Sequence, residues 1–310
     1  MGFDRRSVPS FAAALLAASC VTITEEDPRR ARAILYPEPV PVSAWAVRPV
    51  DGTRAPPPSE WVPPESERRA GVLVFLEGEG SGDEVEPVLE RFSEAGFRIL
   101  RMRIDPLVDP PRRMAVARPE EIDDVAGELA RAVDARLAGV ARAVVAELDR
   151  IDVAQPAEPL RPLVLAGVGL GACVVPPVAA RLGGGFDAAV LIGGGASLFE
   201  VVAAASLETD GVELEVGSLT APQREFFGDV YLAESRLDPF HTARFLAGKP
   251  VLMIHARFDE VVPHWTGDVL HGRLGSPMRL RVLGTHDDLL EEVEDRAEWI
   301  ATWVEDAVRR

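Results

Sequence analysis

The chain has 310 residues and a formal net charge of -17, from 50 acidic against 33 basic side chains, an excess that argues against nucleic acid as the main partner. Its 47% apolar and 27% charged content is that of a folded protein, which excludes global disorder and a collagenous fold, and the length suits one large α/β domain or two smaller ones. Two cysteines, Cys20 and Cys173, are too few for a disulfide framework and set redox chemistry aside.

Arg5 and Arg6 precede an apolar run over 8–18, followed by Ser19 and Cys20; this is the layout of a signal peptide over 1–20. The run is about half as long as a membrane-spanning helix, which needs ~20 apolar residues. Ala17, Ala18 and Ser19 before Cys20 resemble a bacterial lipoprotein cleavage box. That resemblance implies lipidation of Cys20 and a protein held at the membrane of the cell envelope through its N-terminus, by several acyl chains because one binds only weakly. Ordinary secretion and a cytoplasmic tail are the alternatives. Residues 21–69 carry many prolines and little helical periodicity, so a stiff, partly extended tether is expected there, with an edge strand over 44–50.

Residues 72–76 are a compact apolar run ending in Glu77, Gly78, Glu79 and Gly80, a buried strand entering a Gly-rich loop. A helix is expected over 84–95 and a strand over 97–104. Ile122, Val125, Leu129, Val133, Leu137, Val140, Val144 and Leu148 fall three or four residues apart, which predicts a long amphipathic helix over 120–148. A strand over 163–166 leads into a glycine cluster and a helix to about 182, bent by Pro176 and Pro177. Further strands are expected over 188–192, 251–255 and 280–283, and a closing helix over 289–308. Strands alternating with helices predict an α/β domain over 70–310, with a mostly parallel sheet covered by helices on both faces. The 197–249 stretch is longer than a crossover needs and reads as a small cap, with a strand over 212–216, a helix over 225–234, and Asp238-Pro239 turning the chain back.

Ligands meet an open parallel sheet at the loops beyond the carboxyl ends of its strands, and four such loops carry the argument. Gly167-Val168-Gly169-Leu170-Gly171 separates a strand from a helix, Asp259 stands three residues before Val262-Pro263 after the strand that follows the cap, Gly284-Thr285-His286 follows the last strand, and the Gly78 loop follows the first. In this order, over roughly 71–310, the chain resembles the α/β-hydrolase family, with its G-x-S-x-G elbow, acid and histidine. The resemblance implies a catalytic pair in His286 and Asp259 and puts Gly169 at the position of the nucleophilic serine. It assigns Gly78, Glu79, Gly80 and Leu170 to the oxyanion hole or pocket loop.

A glycine cannot form an acyl-enzyme, and a serine protease stripped of its nucleophile keeps only ~10³ to 10⁴-fold catalysis from the oxyanion hole and binding. The expectation is therefore an exported hydrolase-fold protein with a degenerate triad, binding a small ligand that the apolar cap hints is hydrophobic. The alternative is an active hydrolase on ester-like or other carbonyl substrates, in which His286, oriented by Asp259, activates water or an atypical nucleophile such as another serine. His286 and Asp259 could equally do no more than hold two loops together.

Glu77 and Glu79 would oppose an oxyanion if they faced the pocket, and would be neutral to it if they pointed to solvent. Cys173 is expected in the core, Ser197 at a turn on the rim, and Glu260 is a second candidate for the acid. His241, His255, His264 and His271 lack metal-ligand spacing and read as solvated or capping groups, so no metal is expected. Gly167, Gly169 and Ala172 also fit a dinucleotide fingerprint with Asp187 as its acid. That acid precedes the following strand instead of ending it, so no cofactor is expected.

Overall fold

The computed structural model describes residues 22–24, 57–66, 69–78, 83–104, 107, 112–116, 118–155, 160–204, 212–215, 219–275 and 277–309. In chain order its elements are β1 (Thr22–Thr24), β2 (Ser59–Val62), β3 (Gly71–Glu77), α1 (Glu86–Glu94), β4 (Phe97–Arg103), β5 (Arg112–Ala115), α2 (Ile122–Ala154), β6 (Leu163–Val168) and α3 (Leu170–Arg181). They continue with β7 (Ala188–Ile192), α4 (Leu198–Ala204), β8 (Val212–Glu215), α5 (Ala221–Glu234), α6 (Pro239–Thr242), β9 (Val251–Ala256), α7 (His264–Arg273), β10 (Met278–Val282), α8 (His286–Asp295) and α9 (Ala297–Arg309).

Eight strands form one sheet in the order β1-β10-β9-β7-β6-β3-β4-β2. The inner six run parallel, and β1 and β2 close the two edges antiparallel. The parallel arrangement follows from strands that are apolar on both faces. On one face Val72, Val74, Leu76 and Leu165 pack against Leu129, Val133 and Leu137 of α2 and Val175 and Val178 of α3. On the other, Leu73, Phe75, Val190 and Ile254 meet Phe92 of α1, Leu289 of α8 and Ile300 of α9. Pro176 and Pro177 lie inside α3, which continues through them to Arg181.

Glycines set how closely α3 approaches the sheet. A Cβ on Gly171 would lie 2.0 Å from the Leu76 carbonyl oxygen, and one on Gly167 would lie 2.5 Å from the backbone of Gly171. Neither obstacle is a side chain that could swing away. Gly171→Ala is therefore expected to lower stability by about 3 kcal/mol, the upper end for overpacking, measurable by urea unfolding.

The structure corrects three expectations. The stretch read as a tether supplies both edge strands: β1 pairs with β10 and β2 with β4, and Trp61 of β2 donates its indole N–H to Glu147 of α2 at 3.0 Å. The closing helix is two, because the chain turns at Arg296 between α8 and α9. His286 is consequently the first residue of α8 and not a loop residue. The cap recruits residues from outside 197–249, since β8 pairs in parallel with β5 in a separate two-stranded sheet. The expected strand over 44–50 and the segment 1–20 lie outside the described residues.

Two buried carboxylates fasten the cap. Asp238 is fully buried; it accepts hydrogen bonds from the backbone N–H of Ser197 (2.9 Å), Leu198 (2.7 Å) and Phe240 (2.7 Å) and from the Tyr231 hydroxyl (2.9 Å). Asp134 of α2 accepts from Ser235 Oγ and the N–H groups of Arg236 and Leu237. Burial pushes the Asp134 carboxyl above its ordinary range, against the pull of those donors.

Candidate active site

The site is built where β6 turns into α3. Gly169 has φ 56° and ψ -122°, a combination outside the usual wells of residues with side chains. Its N–H donates to the Ile192 carbonyl at 2.8 Å, fixing the turn against β7. A Cβ placed on Gly169 would meet His286 Cε1 at 3.9 Å and nothing closer among the described residues. The turn is thus shaped to present a side chain to the imidazole and carries none.

His286 reaches this point because Thr285 caps α8, accepting from the Asp288 N–H while the Asp288 carboxylate accepts from the Thr285 N–H. The imidazole Nδ1 lies 3.0 Å from Asp259 Oδ2. The other oxygen, Asp259 Oδ1, accepts from the N–H groups of Val261 at 2.9 Å and Val262 at 2.8 Å. The Asp259 side chain is 2% exposed and that of His286 12%, so the pair is largely screened from water. A carboxylate on Nδ1 fixes the proton there and leaves Nε2 as the basic nitrogen. Glu260, the other candidate acid, is exposed.

Gly193 is a site residue that the sequence reading missed. Its φ is +62°, and a Cβ there would approach Leu289 Cδ2 at 3.1 Å, His286 Cε1 at 3.6 Å and Asp259 Oδ2 at 3.7 Å. Any side chain would crowd the pair. The triplet Gly193-Gly194-Gly195 at the end of a strand was the available signal.

Leu170 opens α3, and its N–H belongs to the first helical turn, whose donors have no intrahelical acceptor and favour negative charge. Gly78 packs against it: a Cβ on Gly78 would lie 2.9 Å from Leu170 N, and the Gly78 N–H donates to Val168 O at 3.3 Å. Glu79 and Gly80 lie outside the described residues. Glu77 faces neither pocket nor solvent. It is 2% exposed and ion-paired with Arg101 and, at 3.9 Å, Arg103, on β4, the side of β3 away from β6. Burial raises its pKa and the Arg101 hydrogen bond opposes that rise.

Cys173 is buried, its Sγ accepting from the Gly195 N–H at 3.2 Å. Ser197, at φ 63°, starts α4 with its N–H on Asp238. Asp187 accepts from Leu163 N and Arg161, a role in holding the sheet. His241 contacts the Leu232 carbonyl and His271 that of Pro277 through Nε2. His255 corrects the expectation of a solvated or capping group. It is 4% exposed on the α7 side of β9, and burial together with nearby Arg279 holds its pKa well below the usual value. Among the described residues no three His, Cys, Asp or Glu side chains converge to hold a metal ion.

No family model matches the sequence, and no curated protein matches it significantly. Solved structures do. Est1E from Butyrivibrio proteoclasticus aligns over 81% of this chain and 94% of its own, with a TM-score of 0.51 and 14% identity. Acylaminoacyl peptidase from Pyrococcus horikoshii aligns over 81% of this chain with a TM-score of 0.52 and 14% identity, this chain spanning 39% of the peptidase. At such identity the likeness is one of architecture, and it agrees with the six parallel strands covered by helices on both faces. The chain therefore has the α/β-hydrolase fold.

Proposed function

We propose that the protein is an exported, lipid-anchored member of the α/β-hydrolase fold that holds a small apolar carbonyl compound over Gly169 without acyl transfer. The supporting observation is the turn at Gly169, which faces an intact His286–Asp259 pair and offers no hydroxyl. Exposed Phe258 and Val261 on the Asp259 loop give an apolar ligand a rim on which to rest. Est1E has been solved with ferulic acid bound, an acid of the size that such a cleft suits. Export and anchoring rest on the charged, apolar and Cys20-containing sequence at the N-terminus. Mass spectrometry of the membrane-extracted protein is expected to show an acylated Cys20 as its first residue.

The catalytic question is settled by treating the purified protein with a fluorophosphonate probe and short p-nitrophenyl esters beside its His286→Ala variant. Neither labelling nor turnover above that variant is expected. Turnover that disappears in His286→Ala replaces this reading with a second one, which the retained His286–Asp259 hydrogen bond favours. In that reading His286 draws a proton from water lodged where the serine would stand, the water oxygen adds to the ester carbonyl, and the tetrahedral adduct collapses by breaking the bond to the alcohol, which leaves with the proton returned by His286.

A further inference from the structure

Behind the loop that carries Asp259 lies a second cavity of about 550 Å³, between α7 and the β9–β10 face of the sheet. Strand alternation builds it. His255 of β9 is in register with Arg281 of β10, Arg279 lies two residues back on the same face, and Ile254, Leu280 and Val282 turn to the opposite core. From α7, Asp268 answers both guanidinium groups with one oxygen, 2.6 Å from Arg279 and 2.7 Å from Arg281. One carboxylate against two arginines leaves a positive excess inside a chain of net charge -17.

His255 lines this cavity, and its Nε2 is buried with no hydrogen-bond partner among the described residues. Its Nδ1–Cε1 edge is pressed on α7, where a Cβ on Gly267 would fall 2.4 Å from Cε1 and 2.5 Å from Nδ1. With Arg279 and Arg281 both lining the cavity and one carboxylate between them, the chemistry that fits the space is an acceptor brought in from outside. Guanidinium forks match the oxygens of phosphate and sulfate. The volume falls within the ~300–1,000 Å³ of small-molecule pockets and is roomier than a bare oxyanion needs.

We propose that this cavity binds a small organic oxyanion of the phosphate- or sulfate-monoester class, its charged head between Arg279, Arg281 and His255 and its carbon body along Leu283. The site uses neither His286 nor Gly169 and stands whether or not the cleft is catalytic. His255 also gains a proton in the complex. The groups that face it are Arg279 and Arg281 from β10, Asp268, His264 and His271 from α7, and Arg257 from the loop beyond; an incoming anion adds the negative charge this set lacks.

The test is calorimetric titration of the full chain with phenyl phosphate, inorganic phosphate and neutral phenol. Phenyl phosphate is expected to saturate one site with a Kd at or below ~1 mM, about tenfold tighter than inorganic phosphate, with phenol not binding. Arg281→Gln, on a half-exposed side chain, is expected to weaken it about tenfold with an unchanged melting temperature. The ring-nitrogen NMR signals of His255 are expected to shift toward the protonated form as the site fills. No saturation by phenyl phosphate at ~10 mM and about pH 6, or equal binding by Arg281→Gln, overturns the proposal. Equal affinity for inorganic phosphate overturns the organic body.

Discussion

Gly169→Ser is expected to switch on acyl chemistry, giving fluorophosphonate labelling and p-nitrophenyl ester turnover at least ~10²-fold above the native protein. A Cβ at this position stands 3.9 Å from His286 Cε1, so one rotamer brings an Oγ within hydrogen-bond reach of Nε2, already polarised by Asp259 at Nδ1. The gain stays below the ~2 × 10⁶ lost when subtilisin loses its serine. One expected oxyanion donor, the Gly78 N–H, is turned to the Val168 carbonyl, which leaves the hole leaning on the α3 N-terminus. The same substitution costs about 1–3 kcal/mol of stability, because φ 56° with ψ -122° is strained for a residue with a Cβ. Gly169→Ala separates the two effects, matching the serine variant in urea unfolding and remaining inert. A folded serine variant that does not label would mean that the scaffold no longer supports a nucleophile.

Asp238→Ala is expected to lower stability by about 3–5 kcal/mol, the cost of abandoning a buried, fully partnered charge. Its four donors come from three elements, Ser197 and Leu198 at the start of α4, Tyr231 on α5 and Phe240 on α6, and none can turn to water without opening the cap. The Tyr231 phenol is held well above its ordinary pKa by burial and by Asp238, so it stays a donor at every pH the fold survives. Asp238→Asn keeps the bonds to Oδ1 and sets an N–H₂ against the Leu198 N–H, for a smaller loss of about 2 kcal/mol. Urea unfolding gives both values, and limited proteolysis places the first cuts of the alanine variant within 197–249. An alanine variant as stable as the native chain would show the cap to be held by its apolar contacts alone.

Most of the sheet was legible because its strands are short apolar runs, and α2 because eight apolar residues recur at helical spacing. The frame of the site was legible for another reason: Gly169, Asp259 and His286 stand in the chain order of the family that the sequence resembles. What escaped the sequence depends on pairing across the fold. β5 has no apolar alternation of its own and is a strand because β8, which does alternate, pairs with it. The apolar spacing of Leu289, Val293, Ile300 and Val304 runs on through Arg296, so two helices read as one. Glu77 looked like a threat to an oxyanion, and only the β3–β4 register reveals its arginine. His255, Arg279 and Arg281 were visible as residues but not as neighbours, although a period of two in Arg279 and Arg281 hinted at a shared face.

The edge strand β1 has a consequence for how the molecule opens. It joins the start of the described chain to the last strand through three paired positions, a contact between residues almost as far apart in sequence as the protein permits. Such a contact bears a large loop-closure cost, so it is expected to form late in folding. When it is released, the outer N–H and C=O groups of β10 are left as an open template for strand exchange between two copies of the chain.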